Sequence, residues 1–316
     1  MTGAPGNDQA APVAFVFPGQ GSQYVGMGKD LLEQFASAKR VFEQADEVLG
    51  VSLTRLCFDG SEAELTDTIN AQPAILTMSA AGLAVLKEIA GDKWRPAFVA
   101  GHSLGEYTAL LAAGVLDFAA ALRLVRERGR AMKEAGQARP GAMAAVLGMH
   151  AAALRAICAE VGEVWVANDN SPGQTVLSGQ RAALERALQL AKERGARRTI
   201  PLAVSIAAHS PLMEPAAEAM ALALERLPMV RASIPIVANV SALPITTPEE
   251  VRTELVRQLT FSVRWVESVQ FMIAQGVRTF VEIGPKTVLK GLIGQIAPDA
   301  EVACVGTAAD VHALKV

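Results

Sequence analysis

Residues 97–107 read AFVAGHSLGEY, and within them Gly101-His102-Ser103-Leu104-Gly105 has the G-x-S-x-G spacing of a nucleophile elbow. Such an elbow stands a serine on a sharp turn between a strand and a helix. The first glycine lets the strand end tightly, and the second lets the helix start close beside it. The run Phe98-Val99-Ala100 supplies the strand, and the alanine-rich pattern through Ala113 supplies the helix. Unpaired N–H groups and the positive dipole end at a helix start suit a developing oxyanion. The chemistry in view is nucleophilic attack by Ser103. An ordinary turn that happens to contain serine would read the same, so the rest of the chain must supply a base, oxyanion donors and an anchor.

Three positions qualify. Gln20 lies between two glycines in the loop PGQGSQ, directly after the apolar run VAFVF at 13–17. That loop lacks the closing Gly-Lys-Ser/Thr of a phosphate-binding loop. In an open α/β sheet the carboxyl ends of parallel strands line the crevice, which sets Gln20 and Ser103 on one rim; a solvated glutamine in a glycine turn is the plain alternative. His209, in SIAAHSPLM before a helix opening near Pro211, is of the type that deprotonates a serine near neutral pH. A structural histidine fits that spacing equally well. In the helix that Asp117 is placed to cap, running to Ala135, Phe118, Leu122, Val125 and Met132 form one stripe, and Arg123, Glu127, Arg130 and Glu134 form the solvated face. Arg128 projects on the flank shared with Ala121, Leu124 and Ala131, where a guanidinium needs an anionic partner. It either grips a substrate carboxylate in bidentate fashion or closes an internal salt bridge.

The bulk properties narrow the setting. The chain has 316 residues, 51% hydrophobic and 19% charged, which suits a globular protein of one large domain carrying a smaller insert. A net charge of −3 gives no electrostatic case for nucleic acid or an anionic membrane. Cys57, Cys158 and Cys304 lack C-x-x-C spacing and are expected to be buried thiols in a reducing compartment. His102, His150, His209 and His312 show no metal-binding spacing. Residues 1–12 lack the basic start and apolar run of a signal peptide, and 1–11 are expected to form a frayed tail. No stretch approaches eighteen uninterrupted apolar residues, so no membrane span is expected and a cytoplasmic location is.

Residues 28–49 and 72–90 read as helices, with Pro73 in the first turn of the second. From Pro140 the pattern changes: strands at 141–148, 164–168, 174–178 and 197–204, and helices at 151–160 and 180–194. That β-α-β-β-α-β order is ferredoxin-like. It sets an inserted domain at 138–206 within an α/β-hydrolase-like catalytic domain, 12–137 and 207–316, built on a mainly parallel sheet. Residues 234–238, 278–283 and 301–305 read as further strands, with a helix ending at Ile296.

Taken together, FPGQGSQ at 17–23, GHSLGEY at 101–107, Arg128 in RGRAM, NDNSPGQ at 168–174, His209 and VEIGP at 281–285 resemble the malonyl-CoA:acyl carrier protein transacylases, in that family's order and over nearly the whole chain. The resemblance implies ping-pong transfer of a malonyl group from malonyl-CoA to the phosphopantetheine thiol of acyl carrier protein, supplying extender units for fatty acid biosynthesis. Ser103 would be the acylated nucleophile and His209 its base and acid. The Leu104 and Gln20 amides would form the oxyanion hole, Arg128 would bind the malonyl carboxylate, and Asn170 would stand near the histidine. A backbone carbonyl near Arg264 in SVRW would orient His209 in place of an aspartate. No cofactor is implied, since phosphopantetheine belongs to the acceptor, and a monomer is expected. Ala208 stands where related enzymes often carry serine or phenylalanine, which leaves open malonyl against methylmalonyl choice. Phe261-Ser262 stands where Ser-Pro is common. The basic Arg194, Arg197 and Arg198 are one docking surface for an acidic carrier, with a solvated loop end as the alternative. A serine hydrolase, a transferase of another pathway and a non-catalytic binding module are the competing readings.

Overall fold

The computed structural model describes residues 12–91, 94–204 and 206–314; the tail expected at 1–11 lies outside them. In chain order the strands are β1 (Val13–Phe17), β2 (Phe98–Gly101), β3 (Ala142–Leu147), β4 (Val164–Ser171), β5 (Gln174–Gly179), β6 (Arg198–Pro201), β7 (Ile236–Val237), β8 (Pro244–Ile245), β9 (Thr279–Ile283) and β10 (Glu301–Val305). The larger sheet has the order β10-β9-β1-β2-β7-β8, parallel except for the edge strand β8. Its inner strands are apolar runs because helices cover both faces. Alternation along β1 sends Phe15 and Phe17 into one core with Val99, Val281 and Ile283, and Ala14 and Val16 into a second with Ala100, Val237 and Phe280.

The smaller sheet is antiparallel, in the order β4-β5-β3-β6, with helices Ala151–Val161 and Arg181–Glu193 packed on it around Val146, Leu154, Leu177 and Leu184. Numbered within that unit the strand order is 2-3-1-4, the ferredoxin-like arrangement that the β-α-β-β-α-β pattern predicts. β4 is longer than its sequence pattern suggests, and its outer half pairs with Val263, in the segment just before the helix Trp265–Ala274. The Val263 N–H donates to the Ala167 carbonyl at 2.8 Å, and the Asp169 N–H donates to the Val263 carbonyl at 2.9 Å.

Three expectations are corrected. The helix expected at 72–90 runs over Thr68–Ala90, because the Asp67 carboxylate accepts the Ile69 N–H and caps it earlier, so Pro73 lies beyond the first turn. The helix expected at 28–49 is broken at Phe35, which is extended (φ −126°, ψ 122°), into Lys29–Gln34 and Ala36–Leu49. β6 and β7 are shorter than the apolar runs that announced them. The Thr68–Ala90 helix is long and apolar enough to cross a membrane, and 78% of its most apolar window is buried inside the molecule. Asp117 caps the Phe118–Ala138 helix through the Ala120 N–H at 2.7 Å.

β1 and β2 end side by side, with Phe17 opposite Gly101. A Cβ on Gly105 would lie 2.0 Å from the Phe17 carbonyl oxygen, and one on Gly101 would lie 1.9 Å from the Gly105 carbonyl carbon. Gly105→Ala should therefore destabilise the protein by about 3 kcal/mol or more, read as a lowered urea midpoint; a shift equivalent to under about 1 kcal/mol would refute the close-approach argument.

Candidate active site

Ser103 sits at the turn between β2 and the helix Gly105–Ala112 with φ 51°, the left-handed region that L-residues rarely adopt. Its backbone is held from both sides. The Asn239 side chain accepts the Ser103 N–H at 2.7 Å and donates to the Gly101 carbonyl at 2.7 Å, while the Gln258 amide donates to the Ser103 carbonyl at 2.9 Å. The strain is thus carried by a turn that other residues over-determine.

His209, only 4% exposed and also left-handed (φ 59°), places Nε2 2.8 Å from Ser103 Oγ. Its Nδ1 is 2.7 Å from the Gln258 carbonyl oxygen. A carbonyl only accepts, so Nδ1 carries the proton and Nε2 is free to take one from Ser103. This corrects the Arg264 expectation. The Arg264 carbonyl opens the helix Trp265–Ala274 and accepts from the Ser268 N–H and Oγ, and its guanidinium pairs with Glu267. Burial, and secondly the Arg128 charge, push the His209 pKa down to about 3. Asn170, expected near His209, places its Oδ1 2.8 Å from Nε2 of His102.

Arg128 is 1% exposed. Nη1 donates to Gln72 Oε1 at 2.9 Å, and Nη2 donates to Gln258 Oε1 at 2.9 Å and to Ser103 Oγ at 3.1 Å. The guanidinium lies 5.4 Å from the Tyr107 ring centroid. Of the two readings open for Arg128, the internal salt bridge is excluded among the described residues: its bonds are to neutral amides and a hydroxyl. Gln20 stands on the same rim. Its Oε1 accepts from Thr68 Oγ1 at 3.1 Å, Thr68 Oγ1 accepts from Gln72 Nε2 at 2.9 Å, and that chain ends on Arg128. Among the described residues the backbone N–H groups of Gln20 and Leu104 donate to no protein acceptor.

Gln72, Asn239 and Gln258 are functional neighbours that sequence reasoning missed, and Glu106 is a fourth, visible only as the acid three residues after Ser103. A cleft of about 520 Å³ adjoins the rim, with Gln20, Thr68, Lys133 and Arg181 in its lining. Arg194, expected with Arg197 and Arg198 to offer a basic surface, is engaged by Glu160 at 2.7 Å. The three cysteines are free and buried, and burial raises each thiol pKa, Cys57 to about 12.

The fold and the site define an α/β enzyme of the nucleophile-elbow class. The family described as the acyl transferase domain matches residues 14–308. A relative from Bacillus subtilis (strain 168), malonyl CoA-acyl carrier protein transacylase, is 50% identical over 288 residues, covering 90% of each chain. The solved acyl carrier protein S-malonyltransferase of Vibrio cholerae O1 superposes with a TM-score of 0.93 at 44% identity, over 96% of this chain and 100% of that one. A solved type II PKS acyl-carrier protein in complex with its malonyl-transacylase, PlMCAT:AntF, matches with a TM-score of 0.92 at 43% identity, over 96% of this chain and 98% of the other. The chain belongs to the acyl transferase family, and it is an acyltransferase.

The folded pKa of His209 lies below the ordinary value, so the imidazole stays neutral, and able to accept a proton, as pH falls through 6.5. The rate at which a neutral sulfonyl fluoride modifies Ser103 should stay within about twofold from pH 8 to pH 5, where a histidine titrating near 6.5 would lose more than about tenfold.

Proposed function

We propose that this enzyme transfers a malonyl group from malonyl-CoA to the phosphopantetheine thiol of acyl carrier protein, supplying extender units for fatty acid biosynthesis. Ser103 Oγ, giving its proton to His209 Nε2, attacks the thioester carbonyl. The oxyanion forms against the Leu104 and Gln20 amides, and His209 returns the proton to the departing CoA thiolate. The malonyl-serine ester then meets the carrier thiol, and the steps run in reverse. Arg128 takes the malonyl carboxylate, and no cofactor enters any step. The cleft beside Gln20 and Thr68 suits the pantetheine arm. A cytoplasmic site of action fits three cysteines that are free and buried.

The observation that carries this reading is Arg128: a buried guanidinium 3.1 Å from the nucleophile's oxygen and bonded to neutral groups. A hydrolase of neutral esters gains nothing from a desolvated cation in its acyl pocket. An acetyl group would leave that charge unpaired, whereas a malonyl group brings its counter-ion. The names of the relatives point the same way.

Incubation with malonyl-CoA and no carrier should give a stable malonyl adduct on Ser103 by mass spectrometry, chased by acyl carrier protein; rapid release of free malonate would instead make the protein a hydrolase. Arg128→Ala should lose malonyl transfer on the order of 100-fold in kcat/KM while keeping or gaining acetyl transfer. An unchanged malonyl preference would sink the assignment of Arg128.

A further inference from the structure

Glu106 lies in the first turn of the helix behind Ser103 and is fully buried. Its Oε1 accepts the Asn239 N–H at 3.0 Å, and its Oε2 accepts from Gln258 Nε2. Gln258 faces Arg128 with its other end, Oε1 accepting from Nη2 at 2.9 Å. The amide therefore bridges a group that can only donate and a group placed to accept, which fixes which end faces which. The second N–H of the same amide goes to the Ser103 carbonyl at 2.9 Å, and the Gln258 main-chain carbonyl holds His209.

We propose that Glu106 is a positioning residue that acts through the Gln258 amide on Arg128, holding the guanidinium oriented toward the acyl pocket and so setting the preference for carboxylated acyl groups. The inference rests on the proposed malonyl transfer. A carboxylate bonded directly to Arg128 would occupy the face that the substrate needs. Placed one amide away, Glu106 stabilises the cation and leaves that face to the substrate. Both Glu106 oxygens meet N–H donors, so the ionised form is the one this bonding serves. Burial and the like charge of Glu254 raise its pKa, against the pull of those donors and of Arg128. Glu254 itself accepts the Val240 N–H at 2.8 Å.

The test compares kcat/KM for malonyl-CoA and acetyl-CoA in the wild type, Glu106→Gln and Gln258→Met. Glu106→Gln removes the negative charge from the Gln258 bridge while keeping a side chain of the same size. The malonyl-to-acetyl ratio should fall at least about tenfold, mainly through a raised KM for malonyl-CoA. Gln258→Met cuts the same bridge at its other end, keeps the main-chain carbonyl for His209, and should shift the ratio likewise, so the proposal stays testable if Glu106→Gln does not fold. A purely structural role for Glu106 would lower both substrates together and leave the ratio unmoved. A ratio within about twofold of wild type in any folded variant overturns the proposal. A wild type that forms no malonyl-Ser103 adduct overturns the underlying function instead, so the two failures are distinguishable.

Discussion

Burying the Arg128 guanidinium removes from water a charge whose desolvation costs several kcal/mol, and among the described residues no carboxylate bonds to it directly. Two glutamine carbonyls, the Ser103 hydroxyl and the face of Tyr107 stand in for water. Those partners come from the helix Thr68–Ala90, the elbow, and the residue that ends the helix Pro248–Arg257, so settling one charge locks three distant elements against each other. The hydrogen bonds of Gln258 then reach His209, Ser103 and Glu106.

The second constraint is backbone strain at the reacting pair. Ser103 and His209 both hold left-handed φ values without being glycine, at a cost of about 1–2 kcal/mol each. Close approach at Gly101 and Gly105 leaves the elbow no room to relax, and the two Asn239 side-chain bonds span the turn. On the other side, the bridge from β4 to Val263 anchors the segment that follows Gln258. The small sheet thereby helps fix the carbonyl that orients the base.

What the sequence makes legible follows from locality. The elbow is five consecutive residues, the Asp117 cap is read from its helix, and Arg128 stands out because its own helix shows which face is wet. The small sheet follows from a β-α-β-β-α-β pattern that admits few arrangements. Gln258 was illegible for two reasons. Its bond to His209 uses a main-chain carbonyl, which any residue type supplies, and its side chain meets Arg128 across 130 positions of sequence. Asn239 reaches Ser103 across 136. The resemblance placed the orienting carbonyl near Arg264 in SVRW, whereas it belongs to Gln258 at the end of the preceding helix; a helix starts at Trp265 and draws the Arg264 carbonyl into its own first turn.

In a serine–histidine–aspartate triad the acid both orients the imidazole and stabilises the imidazolium that forms when serine gives up its proton. Here a neutral carbonyl does the orienting and brings no charge, while Arg128 disfavours the imidazolium. A malonyl carboxylate settling on Arg128 cancels the charge that opposes proton transfer to His209. An acetyl thioester, which brings no such anion, meets the full opposition. Selection of the acyl group and activation of the nucleophile are then two effects of one ion pair, formed only when the correct substrate is in place. A thioester without a carboxylate finds the base at its weakest, which works against loading the wrong acyl group.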